Sequence, residues 1–124
     1  MAKRKGKENS FHLTEIAVHG IQEKKGQDIV TLDLRNLKNA VSDFFVICNA
    51  DSGTQVRAIA DSVEFELEKT LKEDAWHKEG FENSDWIILD YVNVVVHIFK
   101  TDKRAFYGVE DLWGDAEIKL HQSA

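Results

Sequence analysis

Residues 86–99 read WIILDYVNVVVHIF, and this stretch decides the fold. Two apolar runs, 86–91 and 94–99, flank a short connection at Val92 and Asn93 and predict an antiparallel β-hairpin. If Tyr91 pairs with Val94, alternation places six side chains on one face: Trp86, Ile88, Asp90, Val95, His97 and Phe99. The other face carries Ile87, Leu89, Tyr91, Val94, Val96 and Ile98. Both faces are therefore largely apolar, although one is enough to cover a core.

The two faces of this hairpin differ in composition. The face that carries Ile87 is almost uniformly large and aliphatic, which makes it the natural core face. The opposite face adds the carboxylate of Asp90 and the imidazole of His97 to its apolar side chains, a composition typical of a partner-binding patch. Trp86 and Phe99 have an alternative role as a second core layer beneath another helix, but burying Asp90 there without a partner would be costly.

The rest of the chain predicts a single α+β domain of order αββαββα. Helical periodicity runs from Ser10 to a stop at Gly26, and strands are predicted at 28–34 and 43–50. A long helix follows at 54–73 with Ser52 or Thr54 as N-cap, and Thr101 or Asp102 caps a last helix that carries Val109 and Leu112. This order favours a mixed sheet with helices mainly on one face and the other face uncovered. We expect a basic flexible tail at 1–9, the domain at 10–117 and a C-terminal tail at 118–124.

Composition limits the classes of protein to which the chain can belong. Its 124 residues are 43% hydrophobic and 31% charged, and no apolar run approaches the roughly 20 residues of a membrane span. Its one cysteine, Cys48, cannot form an internal disulfide and alternates like a small buried hydrophobe, with a reactive thiol as the less favoured alternative. These features predict a cytoplasmic protein.

Charge is unevenly distributed along the chain. The net charge of −6 becomes −10 when the four basic residues of the first seven positions are left out: Lys3, Arg4, Lys5 and Lys7. An acidic body repels phosphate backbones and attracts basic protein surfaces. Only the basic tail is suited to RNA, and a solvated terminus is the simpler interpretation of it.

Residues that could carry chemistry are sparse. The glycines form no phosphate-binding loop, and Asp90 and His97 are too few ligands for a firm metal site, so no cofactor is expected. As an acid–base pair they would also need a cleft, which a flat sheet face does not supply. The remaining large aromatic residues are interpreted as packing residues, with Tyr107 the most outward-facing: Trp76, Phe106, Tyr107 and Trp113.

Several ordered motifs between residues 11 and 116 resemble the ribosomal silencing factor family, RsfS, also called Iojap. They are Lys25-Gly26-Gln27-Asp28-Ile29, Asp43-Phe44-Phe45-Val46-Ile47-Cys48, Gln55-Val56, Ala58-Ile59-Ala60-Asp61, Trp86-Ile87-Ile88-Leu89-Asp90-Tyr91, Val95-Val96-His97-Ile98-Phe99, Arg104 with Phe106-Tyr107, and Leu112-Trp113-Gly114-Asp115-Ala116.

The resemblance implies a non-enzymatic regulator with a nucleotidyltransferase-like fold. Such a factor binds the large ribosomal subunit through ribosomal protein L-fourteen, blocks joining of the small subunit sterically, and represses translation when nutrients are short. It also implies a homodimer of the free protein. A nucleotidyltransferase-like enzyme is one alternative, but the Gly-Ser loop of such enzymes is missing and Asp33 and Asp90 stand singly on different strands. An RNA-binding adaptor that uses the basic tail is the other.

Carried over by motif, the family's binding surface falls on Trp86, Asp90 and His97. The hairpin register adds Ile88, Val95 and Phe99, and Arg104 and Tyr107 border the patch. We expect Trp86 to be the apolar anchor, Asp90 to pair with a Lys or Arg of L-fourteen, and His97 to orient a hydrogen bond at the interface.

Overall fold

The computed structural model describes residues 7–123, without side-chain detail at 7–9 and 106. It contains four helices and six strands within that range. In chain order they are α1 (Lys7–Glu23), β1 (Gln27–Asp33), β2 (Phe44–Ala50), α2 (Gly53–Leu71), β3 (His77–Glu79), β4 (Trp86–Asp90), β5 (Val94–Lys100), α3 (Thr101–Tyr107), α4 (Val109–Leu112) and β6 (Glu117–His121). The predicted α+β class with a mixed sheet is confirmed.

All six strands join one sheet in the order β3-β4-β5-β2-β1-β6. The β2–β5 pair is parallel and the other pairs are antiparallel. A parallel pair needs a long crossover, and α2 lies within the segment that connects β2 to β5. The crossover therefore brings α2 against the sheet.

The hairpin register predicted from alternation is confirmed. Trp86 lies opposite Phe99, Ile88 opposite His97 and Asp90 opposite Val95. The main-chain N–H of Tyr91 donates to the carbonyl oxygen of Val94 at 2.8 Å and closes the loop. The core face is confirmed as well, since its six hairpin side chains are all buried in the main core: Ile87, Leu89, Tyr91, Val94, Val96 and Ile98.

Helices α1 and α2 cover this core face. The predicted stripe of α2 is buried at Val56, Ile59, Ala60, Val63 and Leu67. Ser52 is its N-cap, and the Ser52 side chain accepts a hydrogen bond from the main-chain N–H of Gln55. The hydroxyl of Ser62 donates to the Gly20 carbonyl at 2.8 Å, which joins the two helices where they approach closely. None of the helices between residues 7 and 123 is both long and apolar enough to span a bilayer.

The opposite face, called here the second face, is not uncovered as predicted. Residues 101–116, called here the cap, fold back over it and bury a second core. The buried members of this second core are Val30, Leu32, Leu34, Phe45, Ile47, Val95, Phe99, Val109 and Ala116. The expectation of a free face failed because the apolar side chains of the last helical segment pack against the sheet.

Several predicted boundaries also need correction. Helix α1 starts at Lys7, so the predicted tail at 1–9 is helical from that residue onward, while Lys3, Arg4 and Lys5 lie outside the described residues. The last helix breaks at Gly108, whose φ of 61° is left-handed, and its N-cap is Lys100 rather than Thr101 or Asp102. The predicted C-terminal tail contains the edge strand β6, and the loop before the hairpin contains β3.

Gly80 packs closely against the backbone at the start of β4. Its φ is +92°, and a Cβ at this position would lie 2.0 Å from the main-chain oxygen of Trp86. We therefore expect Gly80→Ala to lower the free energy of unfolding by at least about 2 kcal/mol, measured by urea denaturation. Gly114→Ala is the matched control, since its added Cβ would come no closer than 3.7 Å to other atoms. Equal stability of the two variants would contradict this role of Gly80.

Candidate functional site

The predicted site residues of the hairpin share the second face but differ in accessibility. Phe99 is fully buried and His97 is only 5% exposed, and Val95 is buried beside them. Trp86, Ile88 and Asp90 are half-buried along β4, and they are called here the β4 rim. The prediction that all six are available to a partner is thus wrong for Val95, His97 and Phe99, because the cap and β2 enclose them.

Aromatic packing explains this enclosure. The Tyr107 ring of α3 lies 4.7 Å from the Trp86 ring and 6.0 Å from the Phe99 ring, measured between centroids. On the β2 side of His97, the ring centroids of Phe45 and His97 lie 4.6 Å apart. Trp113 meets Phe45 edge-on at 6.1 Å. Tyr107 therefore lies beside Trp86 as a packing partner, and its place at the border of a binding site stays a prediction.

The imidazole of His97 forms a hydrogen bond with the indole of Trp86. The Trp86 Nε1–H donates to His97 Nδ1 at 3.1 Å, so Nδ1 is the unprotonated nitrogen of a neutral ring. His97 Nε2 is buried, with no hydrogen-bond partner among the described residues. Burial lowers the pKa of His97 to about 4, which keeps the ring neutral at physiological pH. The geometry thus makes His97 a support for Trp86, rather than an exposed donor at an interface.

Asp90 is the charged residue of the β4 rim. Its Oδ1 accepts a hydrogen bond from the main-chain N–H of Val92 at 2.8 Å. The salt bridges among the described residues do not include Asp90. A half-buried carboxylate of this kind can accept a hydrogen bond from a Lys or Arg of another molecule.

Arg104 makes internal contacts that its predicted place at the border of the patch did not foresee. Its guanidinium donates to both carboxylate oxygens of Glu110 at 2.9 Å, to the Asn49 side chain at 2.7 Å and to the Asp28 carbonyl at 2.6 Å. The contact with Arg104 lowers the pKa of Glu110. Arg104 thereby ties α3 to α4 and to the ends of β1 and β2, and so anchors the cap.

The residues considered for enzymatic chemistry do not come together. Asp33 and Asp90 lie on β1 and β4 with two strands between them, a separation of about 14 Å from strand spacing alone. Asp33 accepts hydrogen bonds from the Arg35 side chain at 2.7 and 2.9 Å. Cys48 is buried, and burial raises the pKa of its thiol to about 12. Asp33 is thus engaged by the neighbouring Arg35 side chain, and Cys48 is held as a protonated thiol in the core.

Trp76 is the functional candidate that sequence reasoning missed. It was interpreted as a packing residue, yet 75% of its surface is exposed, beside the tip of the hairpin. Its main-chain N–H donates to the Asp90 carbonyl oxygen at 2.8 Å, which fixes it next to the β4 rim. The available signal was its position in a short, strongly charged segment, Glu73 to Glu79, that has few apolar neighbours.

The family model and the curated relatives that the chain matches all point to the same protein family. The family model described as "Ribosomal silencing factor during starvation" matches residues 7–124. The chain is 39% identical over 107 residues to ribosomal silencing factor RsfS of Halalkalibacterium halodurans, covering 84% of this chain and 87% of that protein. It is 34% identical to RsfS of Bacillus subtilis, covering 89% and 92%. A crystal structure of a Chromobacterium violaceum protein superimposes with a TM-score of 0.79 at 30% identity, covering 92% of this chain and 94% of that one.

The burial of His97 predicts a dependence of stability on pH. Its pKa is about 4 in the folded protein, against an ordinary value of 6.5, so the unfolded chain binds the proton more readily between these values. Stability should therefore fall as the pH drops from 7 to 4, by about 3 kcal/mol from this residue. Urea denaturation across this range measures the loss, which should shrink in His97→Gln. An NMR titration of the His97 ring with a midpoint above pH 6 would contradict the assignment.

Proposed function

This chain belongs to the ribosomal silencing factor family, and we propose that it binds the large ribosomal subunit through ribosomal protein L-fourteen and sterically blocks joining of the small subunit. The observation that carries the proposal is the β4 rim. It aligns along one strand an indole, an aliphatic side chain and a carboxylate that forms no salt bridge with the described residues. These are the parts of a compact protein-binding surface.

Trp86 is the proposed apolar anchor. Its ring is packed against Tyr107 and Phe99, and its N–H is bonded to His97, so the indole is rigid before the partner arrives. A side chain that is already ordered loses little conformational entropy on binding. The indole N–H is also used internally, so Trp86 contributes apolar area rather than a hydrogen bond to L-fourteen.

Asp90 supplies charge complementarity. The domain without its basic start is strongly acidic, which favours encounter with a basic protein and disfavours contact with rRNA. A Lys or Arg of L-fourteen bound at Asp90 would fix the orientation of the complex.

The proposed mechanism is steric and requires no catalysis. The family resemblance implies that L-fourteen lies on the side of the large subunit that meets the small subunit. A folded domain of 14.2 kDa on that surface occupies space that the small subunit needs. The protein would act in the cytoplasm and damp translation under nutrient limitation. The family resemblance also implies a homodimer of the free protein.

The proposal predicts that changes at the β4 rim weaken binding to purified L-fourteen. Trp86→Ala should weaken it at least about 30-fold, and Asp90→Asn about tenfold with a reduced dependence on salt. Asp90→Asn retains an oxygen that can accept the hydrogen bond from Val92. Isothermal titration calorimetry measures both affinities, and circular dichroism checks that each variant is folded.

Phe65→Ala is the matched control, because Phe65 is an exposed aromatic residue of α2, on the other side of the sheet. The same proteins are then mixed with both ribosomal subunits and sedimented, and the wild type should reduce the yield of joined ribosomes. If the wild type neither binds L-fourteen nor reduces joining, the proposal fails.

A further inference from the structure

A small pocket lies at the tip of the β4–β5 hairpin, next to the β4 rim. Its volume is about 270 Å³, and it is open to solvent. The residues that line this tip pocket are Val41, Ser42, Trp76, Asp90, Val92 and Val95. Asp90 belongs to both the rim and the pocket, so the two form one continuous surface.

The walls of the tip pocket expose an unusual amount of apolar surface. Val41 is 74% exposed and Val92 is 55% exposed, and both lie around the same opening as Trp76. Single exposed apolar residues are common on protein surfaces, but a group of three around one cavity is typical of an interaction site. The polar side-chain groups of its lining are the carboxylate of Asp90, the hydroxyl of Ser42 and the indole N–H of Trp76.

Val92 is held in this position at a cost to the backbone. Its φ is 73°, which is unfavourable for a β-branched residue. The N–H of Asn93 donates to the Tyr91 carbonyl at 2.9 Å, the pattern of a γ-turn centred on Val92. The Asp90 carboxylate accepts a hydrogen bond from the Val92 N–H. The Ser42 hydroxyl donates a hydrogen bond to the Val92 carbonyl oxygen at 2.9 Å. Residues held in an unfavourable backbone conformation by surrounding hydrogen bonds are frequent at ligand-binding sites.

We propose that the tip pocket binds one aliphatic side chain of L-fourteen, adjacent in that protein to the Lys or Arg that pairs with Asp90. This inference rests on the proposed function and extends its surface to Val41, Trp76 and Val92. The occupant is apolar because the three exposed walls are apolar. It lies next to a basic residue because Asp90 forms part of the same pocket and has no salt bridge among the described residues.

The test measures binding of purified L-fourteen to the full chain by isothermal titration calorimetry. Trp76→Ala should weaken binding about tenfold, since it removes the largest wall of the pocket. Trp76 is mostly exposed, so we expect this variant to remain folded, with the melting temperature as the check. Phe65→Ala, which removes an exposed ring far from the pocket, should bind as the wild type does.

The variant Val92→Gly tests the loss of an apolar wall of the pocket without an expected loss of folding. Glycine adopts a φ of 73° without steric strain, so the variant should fold normally while it loses the apolar contact. Its affinity for L-fourteen should fall about threefold to tenfold.

The outcomes distinguish the two proposals. If wild type binds L-fourteen, Trp86→Ala weakens binding and Trp76→Ala does not, the tip pocket is overturned and the proposed function stands. If Trp76→Ala and Phe65→Ala weaken binding equally, the effect is not specific to the pocket and the inference is also overturned. If wild type does not bind L-fourteen at all, both proposals fail together.

Discussion

Strand β5 has apolar side chains on both faces, and the rest of the structure depends on covering both. It pairs with β4 on one side and β2 on the other, and six of its seven residues are buried. Alternating side chains send Val94, Val96 and Ile98 toward helices α1 and α2 and send His97 and Phe99 toward the cap. Removing either layer would expose part of this strand to water. The β4 rim therefore exists because the cap stops short of covering β4 completely.

The hairpin register and the core face were predictable from sequence because alternation places six large apolar side chains on one face: Ile87, Leu89, Tyr91, Val94, Val96 and Ile98. Helix α2 was predictable for a similar reason, since its apolar stripe and its Ser52 cap agree. Strands β3 and β6 were not, because they are short edge strands whose residues stay mostly exposed. The cap was missed because its two helices are short and broken at Gly108, and their apolar residues alone do not indicate which face they cover.

The candidate site also has features that were predictable from sequence and features that were not. Sequence placed Trp86, Asp90 and His97 on one face, and that placement is confirmed. It could not distinguish an exposed imidazole from a buried one, because exposure depends on the position of Tyr107 and Phe45. Trp76 was missed for the opposite reason: tryptophan is usually buried, and only tertiary structure shows this one at the surface. Partner binding by these residues stays a prediction.

The deep position of Cys48 has a practical consequence for spectroscopy. Its thiol is enclosed in the main core and stays protonated near neutral pH, since burial raises its pKa to about 12. Maleimide dyes react with accessible thiolates, so the native side chain should contribute little background. A cysteine introduced at an exposed site would accept a single fluorophore without removal of Cys48. The factor can thus be labelled for single-molecule observation with its interior packing intact.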